Sequence, residues 1–513
     1  MLRYLFGSET DFDTKLEFDC IIVGGGMAGL YAALCLDDKK SCALITKDNF
    51  EDACCSSRLA QGGIAAVLSD ADSFEAHICD TLTAGAGCCN KQAVEILVKE
   101  GPDDIRKLIS LCVPFDTKED GTLRITREGG HSARRIVHCG GDATGQLVTR
   151  TLTERVKEKE NIQIYCGAYL IDILTKDNKT IGVALQKDGR RFVIYSSNVI
   201  IATGGIGQLY RYSTNPPGTK GEGIAACMRA GAKAKDMEFV QFHPTSLSLS
   251  ESADRMFLVS EAVRGEGGIL RNAQGQAFME NVHPLKDLAP RDIVTRGILA
   301  EMKKQGTNEM YLDVSCMSHE FFKNRFPTIY AECVKYGVDV PSEPIPIRPT
   351  QHYLMGGIET DLDGKTCVEG LYVAGEAACT GVQGANRLAS NSTLECLVFA
   401  RRAANSINAS ARCEINEIIK PSSQAKTVVS QETVEKDAEQ LRFVMTNKVG
   451  ALRRQSELAQ ALEYIEQLQQ KYSDLICDTL EKLTLVNAIT VCREITAKAI
   501  QRKESVGSHY MVD

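Results

Sequence analysis

The stretch Asp19-Cys20-Ile21-Ile22-Val23-Gly24-Gly25-Gly26-Met27-Ala28-Gly29-Leu30 decides how the chain is read. An apolar strand runs straight into Gly-x-Gly-x-x-Gly, and a helical stretch, Leu30–Leu36, follows. Glycines here let the backbone turn tightly and approach a pyrophosphate, whose charge then rests on the helix N-terminus. Two further apolar runs end in the same way. One is Asn198-Val-Ile-Ile-Ala-Thr203-Gly204-Gly205; the other, Leu371-Tyr-Val-Ala-Gly375-Glu376, closes on an acid able to bind a ribose hydroxyl. A single such strand end is a weak signal, whereas one extended dinucleotide can touch all three. The acid common about 20 residues after the first glycine of NAD-binding folds is missing, because Thr46-Lys47 stand there. NAD is therefore not the favoured nucleotide.

Outward from these strand ends, apolar runs at 19–23, 42–46, 164–174, 181–186, 191–195 and 198–202 alternate with helical stretches, as in a doubly wound α/β region. From about 236 to 354 Gly and Pro become frequent, and His243, Arg264, Glu266, Arg291, Arg296 and His352 gather near them. Strand pattern returns at 371–375. The expected architecture is α/β: a discontinuous, Rossmann-like nucleotide-binding domain at 1–236 and 355–415, an inserted α+β capping domain at 237–354, and a C-terminal helical bundle at 416–513. The last follows the Ile419-Lys-Pro-Ser-Ser-Gln stretch. There Leu441, Val444, Val449, Leu452, Leu458, Leu462, Ile465 and Leu468 recur at helical spacing.

At 513 residues, 43% hydrophobic and 25% charged, the chain has ample material for a large core. A net charge of −8 gives no general basic face for nucleic acid. No apolar run approaches the roughly 18 residues of a membrane helix. Met1–Phe18 mixes Arg3, Glu9, Asp11, Asp13 and Lys15, so no signal peptide is expected. The 20 cysteines include the adjacent pairs Cys54-Cys55 and Cys88-Cys89 but no Cys-x-x-Cys, so they read as small buried residues of a reducing cytoplasm. No metal site or iron–sulfur cluster is expected.

Several polar stretches carry candidate chemistry: Gln241-Phe-His243-Pro244-Thr245, Ser260-Glu261-Ala-Val-Arg264-Gly-Glu266, Pro290-Arg291-Asp292, Gln351-His352-Tyr-Leu-Met-Gly356-Gly357 and Gly384-Ala-Asn386-Arg387. Two histidines and two arginines beside glycine turns suit an anion, and the arginine fork matches a carboxylate. Together with a nucleotide domain they point to a small carboxylate substrate. Asn391-Ser392-Thr393-Leu-Glu395 resembles a helix start with Ser or Asn as cap, and its positive end would suit the negative charge of a reduced flavin.

These motifs, with Ala60-Gln61-Gly62-Gly63-Ile and Ala385-Asn386-Arg387-Leu-Ala-Ser390-Asn391-Ser392, resemble the succinate dehydrogenase/fumarate reductase flavoprotein family over about residues 18–510. The segment Thr126-Arg127-Glu128-Gly129-Gly130-His131-Ser132-Ala-Arg134-Arg135-Ile136-Val-His138 is similar to the branch of that family that oxidises L-aspartate. The resemblance implies FAD as cofactor. It would be held by Gly24, Gly25, Gly26, Met27, Ala28 and Gly29, by Lys47, by Ser56, Ser57, Arg58, Leu59, Ala60, Gln61, Gly62 and Gly63, and by Glu222, Glu376, Ser392 and Thr393. Where succinate dehydrogenases tether the flavin through a histidine, this chain has Ser56, which implies non-covalent FAD. His243, Ser260, His352 and Arg387 match positions that hold the two substrate carboxylates, and Arg291 the proton-transfer arginine; His243 and His352 are counted with it as catalytic.

Glu128 chooses between relatives. Beside a substrate ammonium its carboxylate gains a charge-assisted hydrogen bond; beside a bare dicarboxylate it is repelled. From the residues alone it would instead pair with Arg127, Arg134 or Arg135 on a loop surface. The reaction implied is hydride transfer from Cα of L-aspartate to flavin N5, giving iminoaspartate, with O2 or fumarate as electron acceptor. Iminoaspartate would pass to quinolinate synthase in de novo NAD biosynthesis. The alternative is a flavoprotein subunit of a fumarate reductase or succinate dehydrogenase. Departures from the family pattern are Ser260 for threonine, Glu222 for aspartate, Thr393 for leucine, and Val506 and Met511 where the tail motif has arginines.

Overall fold

The computed structural model describes residues 2–7, 10–50, 55–250, 255–410 and 426–513. Cys54, Glu9, the Ile419–Gln424 stretch and the expected boundary at 415/416 lie outside the described residues. At the centre stands a five-stranded parallel sheet made of β1 (Cys20–Val23), β2 (Cys42–Thr46), β3 (Ile162–Cys166), β4 (Val199–Ile201) and β5 (Leu371–Val373), in the order β5-β4-β1-β2-β3. All but β3 are buried along their length, which is why they read as continuous apolar runs. Three of these strands, β1, β4 and β5, are the ones that end in the glycine signatures. They are immediate neighbours, paired Val199–Ile21 and Val199–Leu371. Helix α1 (Met27–Cys35) follows β1 directly.

The expected strand 164–174 is in fact two. Gly167, at φ +69, turns the chain out of β3 and into Tyr169–Lys176, which belongs to a second sheet. That sheet, with Lys179–Lys187, Arg190–Tyr195 and the N-terminal Asp11–Glu17, is an antiparallel meander with one parallel edge, not a βαβ unit. Its turns are two-residue hairpins at Asp177-Asn178 (φ +48 and +61) and Asp188-Gly189 (φ +49 and +75), the left-handed pairs that match strand twist.

Residues 240–354 build a separate four-stranded antiparallel sheet, ordered Val240–Leu247, Ile345–Leu354, Met310–Asp313, Ile269–Arg271, with its own core. Helix α2 (Arg291–Gln305) lies on it, and Thr295 Oγ1 donates to the Phe242 carbonyl at 2.8 Å. Asp236 (φ +55) and Gly356-Gly357 form the joints to the nucleotide domain. A Cβ on Gly356 would stand 2.1 Å from the Asp236 carbonyl, so the two connecting segments cross backbone to backbone. Helix α3 (Asn391–Ala409) packs on α1. Helices Gln431–Lys448, Gln455–Lys471 and α4 (Leu480–Gln501) form the C-terminal region, whose buried Leu441, Val444, Leu458, Ile465 and Leu468 join the core of the second sheet. No described helix is long and apolar enough to cross a membrane. None of the described cysteines is in a disulfide; Cys20, Cys42, Cys227 and Cys492 are buried, but Cys79, Cys112, Cys316 and Cys367 are exposed.

Candidate active site

A cavity of about 630 Å³ runs from the glycine turns of β1 and β4 to the joint with the capping sheet. Gly24, Gly25, Gly26, Met27, Ala28, Lys47, Ser56–Gly63, Glu222, Glu376, Ser392 and Thr393 line one part. Glu128, His243, Ser260, Arg291, His352 and Arg387 line the other. Gly29 does not line the cavity; a Cβ there would lie 1.9 Å from the Gly24 carbonyl, so it admits the close approach of helix to strand. Glu266 and Arg296 also lie elsewhere: Glu266 pairs with Arg325 at 3.4 Å, and Arg296 with Asp292 at 3.0 Å.

The nucleotide part is built from backbone and small side chains. Gly24 takes φ +129, and a Cβ would sit 2.1 Å from the Ala202 carbonyl, so only glycine fits where β1 meets β4. Ser57 Oγ accepts from the Met27 amide at 3.1 Å, tying residues 55–63 to the α1 N-terminus. Lys47 is bonded to Glu222 and to the Gly218 carbonyl, so the residue after β2 closes this end. Glu376 accepts from the Leu354 amide at 3.0 Å; burial raises its pKa to about 7. Ser56 Oγ, Gln61 Oε1 and Thr203 Oγ1 are buried polar atoms beside the glycine turns, without a hydrogen-bond partner among the described residues. Such orphaned groups call for a polar ligand. The cavity's glycine floor, unpartnered hydroxyls and ribose-suited acid fit an extended dinucleotide such as FAD.

Helix α3 begins as expected, but without a side-chain cap. Ser390 holds the N-cap position at φ +62, yet its hydroxyl donates to Glu128 Oε2 at 2.6 Å. Asn391 is likewise drawn away, bonding His77 Nε2 and Thr81 Oγ1, both at 2.9 Å. The first amides of α3, at Ser392 and Thr393, are left for the cavity.

The polar part is buried and cationic on balance. Glu261 accepts from Arg291 Nε at 2.6 Å, and Arg264 lies 3.5 Å from its other oxygen. Burial pushes the Glu261 carboxyl up, but Arg291 and Arg264 outweigh it and hold the group below the ordinary carboxylate range. Arg291 also donates to Gln241 Oε1 at 3.1 Å, and Gln241 in turn donates to Asn386 Oδ1 and the Arg387 carbonyl. The rings of His243 and His352 stand 5.0 Å apart. Burial first, then the surrounding arginines, keeps both well below the usual histidine pKa, so both are neutral. His243 Nδ1 accepts from the Thr245 amide at 3.2 Å, which leaves the proton on Nε2, a buried atom with no partner among the described residues. His352 lies between Thr214 Oγ1 at 2.7 Å and Arg387 Nη2 at 3.2 Å. Arg387 stacks over the Tyr353 ring at 4.3 Å, and burial lowers its pKa to about 10, leaving it charged. Ser260 caps the helix Glu261–Gly265.

Glu128 is 4% exposed, and the surface pairing with Arg127, Arg134 or Arg135 does not occur. Arg135 is taken by Asp72 and Asp80. Glu128 Oε1 has no hydrogen-bond partner among the described residues and faces Gly62. Three contributors lie outside the candidate residues named from the sequence: Thr214 behind His352, Tyr353 under Arg387, and the C-terminal α4, whose Leu483, Thr484 and Asn487 line the cavity. Tyr353 follows His352 directly and was within reach of a local signal; α4 carries none.

Residues 19–393 match the FAD binding domain model and residues 438–513 the fumarate reductase flavoprotein C-terminal model. The chain is 42% identical to an L-aspartate oxidase of Streptomyces coelicolor, over 96% of this chain and 88% of that one. It is 46% identical to an L-aspartate oxidase of Clostridium perfringens over 77% and 87%. Among solved structures, a mutated E. coli quinol fumarate reductase FrdA superposes with a TM-score of 0.88 at 30% identity, covering 97% of this chain and 92% of that chain. With sequence relatives and fold in agreement, the chain belongs to the L-aspartate oxidases, a branch of the succinate dehydrogenase/fumarate reductase flavoprotein family.

Proposed function

We propose that this protein is an FAD-dependent oxidase of L-aspartate, giving iminoaspartate, and that the residues above divide the work as follows. The observation that carries the reading is the buried Glu128 carboxylate, with one oxygen unsatisfied, at the edge of a pocket otherwise furnished with Arg291, Arg387 and two neutral histidines. A dicarboxylate alone satisfies the arginines and is repelled by Glu128; the same skeleton bearing an ammonium satisfies all three.

Arg387, held over the Tyr353 ring, binds one carboxylate in a bidentate manner with His352 beside it. Ser260 and the Nε2 proton of His243 receive the other. Because His243 is neutral, its Nε2–H donates without adding charge that would overbind the substrate, while His352, whose Nε2 accepts from Arg387 and whose Nδ1 faces Thr214, holds that arginine in place. Glu128 orients the amine and accepts a proton from it as electrons leave Cα. Bound FAD would supply the two-electron acceptor for the Cα hydride, held non-covalently since Ser56 offers no tethering nitrogen. Arg291, fixed by Glu261 and Gln241, neutralises the substrate and carries a proton to the carbon skeleton when fumarate is reduced instead.

The two electrons leave to O2 or to fumarate, and the product enters de novo NAD biosynthesis in the cytoplasm, where quinolinate synthase would consume it. A fumarate reductase subunit would need no amine-reading acid, which disfavours that alternative. Steady-state turnover of the purified chain with L-aspartate, first under air and then anaerobically with fumarate, tests the reading. Hydrogen peroxide in the first case and succinate in the second are expected. Oxidation of succinate with no consumption of L-aspartate would overturn it.

A further inference from the structure

Glu128 sits on a loop whose next two residues are glycines. Gly130 takes φ +81, and a Cβ on Gly129 would come within 2.3 Å of Glu261. The loop leaves and re-enters a small sheet, Ile125–Thr126 paired with Ile136–Val137. Something else must fix where the carboxylate points. On the far side of the loop, Arg135 has no exposed side-chain surface. Its Nε and Nη2 donate to both oxygens of Asp72, at 2.8 and 2.7 Å, and its Nη1 to Asp80. Asp80 also accepts the amide and hydroxyl of Ser132, both at 2.8 Å. Arg135 Nη1 reaches His131 Nδ1 at 3.1 Å, and His131 Nε2 donates to the Ala389 carbonyl at 2.9 Å. The next residue, Ser390, holds Glu128. An unbroken chain of bonds thus runs from two acids beside and within the helix Phe74–Ala84 to the acid in the cavity.

A buried ion cluster is weak as a source of stability, because desolvation cancels most of its Coulomb attraction. Its bidentate geometry is strong as a source of position. We propose that the Asp72–Arg135–Asp80 clamp sets the place of the Glu128 carboxylate and so determines how far the site prefers an amine-bearing dicarboxylate over a bare one. Arg135, Asp72 and Asp80 are positioning residues that touch neither substrate nor cofactor. The inference rests on the amine-reading role of Glu128 given above.

Asp80→Asn keeps the shape and one acceptor oxygen but removes the charge that grips Arg135. In the full-length FAD-loaded enzyme it is expected to raise KM for L-aspartate by about tenfold or more, the scale of a displaced positioning group, with KM for fumarate reduction changed by less than about twofold. In a Glu128→Gln background the same change is expected to add nothing further to the L-aspartate KM, since the clamp acts through that carboxylate. Equal weakening of both ligands, no change in either, or full additivity with Glu128→Gln would overturn the proposal. Asp72→Asn gives the same test should the Asp80 variant fail to fold. If Glu128→Gln alone shows no difference between the two ligands, it is the amine-reading role that falls. If it does and Asp80→Asn does not, only the clamp falls.

Discussion

The Glu128 carboxylate is unusual because it is buried with no ion-pair partner among the described residues. Among the described residues its one hydrogen bond comes from Ser390, and its second oxygen waits in a pocket lined by arginines. Removing that charge while keeping the shape isolates its purpose. Glu128→Gln is expected to cost L-aspartate turnover about 1.5–3 kcal/mol in kcat/KM, the worth of one charge-assisted hydrogen bond, and to affect fumarate or succinate binding far less. Steady-state kinetics with both ligands check this; parallel losses would remove the amine-reading role. Arg291 is the complementary case. Replacing it with leucine leaves Glu261 still facing Arg264 at 3.5 Å, so the fold keeps a partner for the buried acid. Arg291→Leu is therefore expected to stay yellow, with flavin absorbance retained, while turnover drops to background. Retained activity would take Arg291 out of the mechanism. The candidate residues themselves were legible in the sequence because each sits in a short motif. The clamp on Arg135 was not: its partners Asp72 and Asp80 lie 63 and 55 residues away, and no local pattern marks an arginine that is held from a distance.

Among elements, the strand–turn–helix of β1 and α1 was the most legible, since its glycines answer to sterics alone. Gly24→Ala would drive a Cβ to 2.1 Å from the Ala202 carbonyl at a φ of +129, so β1 and β4 must separate at the turn that meets the nucleotide. The expected result is protein purified largely without flavin and with a lowered Tm, read by absorbance and thermal melts; normal flavin content would refute this account of the turn. The extent of the α/β region was read less well. The apolar run 164–174 contains one glycine, and periodicity cannot tell a strand that continues from one that changes sheets at φ +69. The hairpins at Asp177-Asn178 and Asp188-Gly189 did carry turn chemistry, and they mark the meander that the βαβ expectation passed over. The start of α3 was placed correctly, but its cap was not, because Ser390 and Asn391 are bonded to Glu128 and His77 instead of to the helix.

At the scale of the molecule, the least legible feature is how the C-terminal residues knit the parts together. Without the arginines at Val506 and Met511, the tail still docks. Ser508 bonds the Ala385 carbonyl through both amide and hydroxyl, and Arg296 of α2 bonds the Gly507 carbonyl and lies over the Tyr510 ring at 4.6 Å. Arg502 reaches Glu238 at 2.6 Å, beside the joint at Asp236. The tail therefore touches the nucleotide domain two residues before Arg387 and the capping domain on the helix that begins at Arg291. Its centre is His509, fully buried, whose Nδ1 accepts from Arg453 at 2.7 Å while Nε2 faces the Arg502 carbonyl at 2.9 Å. Burial, then the Arg453 charge, lowers its pKa to about 4, since a proton on Nδ1 would confront a guanidinium. The folded value lies below the unfolded value of 6.5, so the unfolded or undocked chain binds the proton more tightly. The stabilisation from this contact is complete above pH 6.5 and is lost as pH falls through about 4. Hydrogen exchange should show it directly: after correction for intrinsic rates, protection of residues 505–512 is expected to fall between pH 6.5 and 4, earlier than that of the central sheet. A His509→Asn variant, which cannot acquire this charge, should lose the pH dependence, and protection that stays level in the unmodified protein would show that the tail is held by its backbone contacts alone.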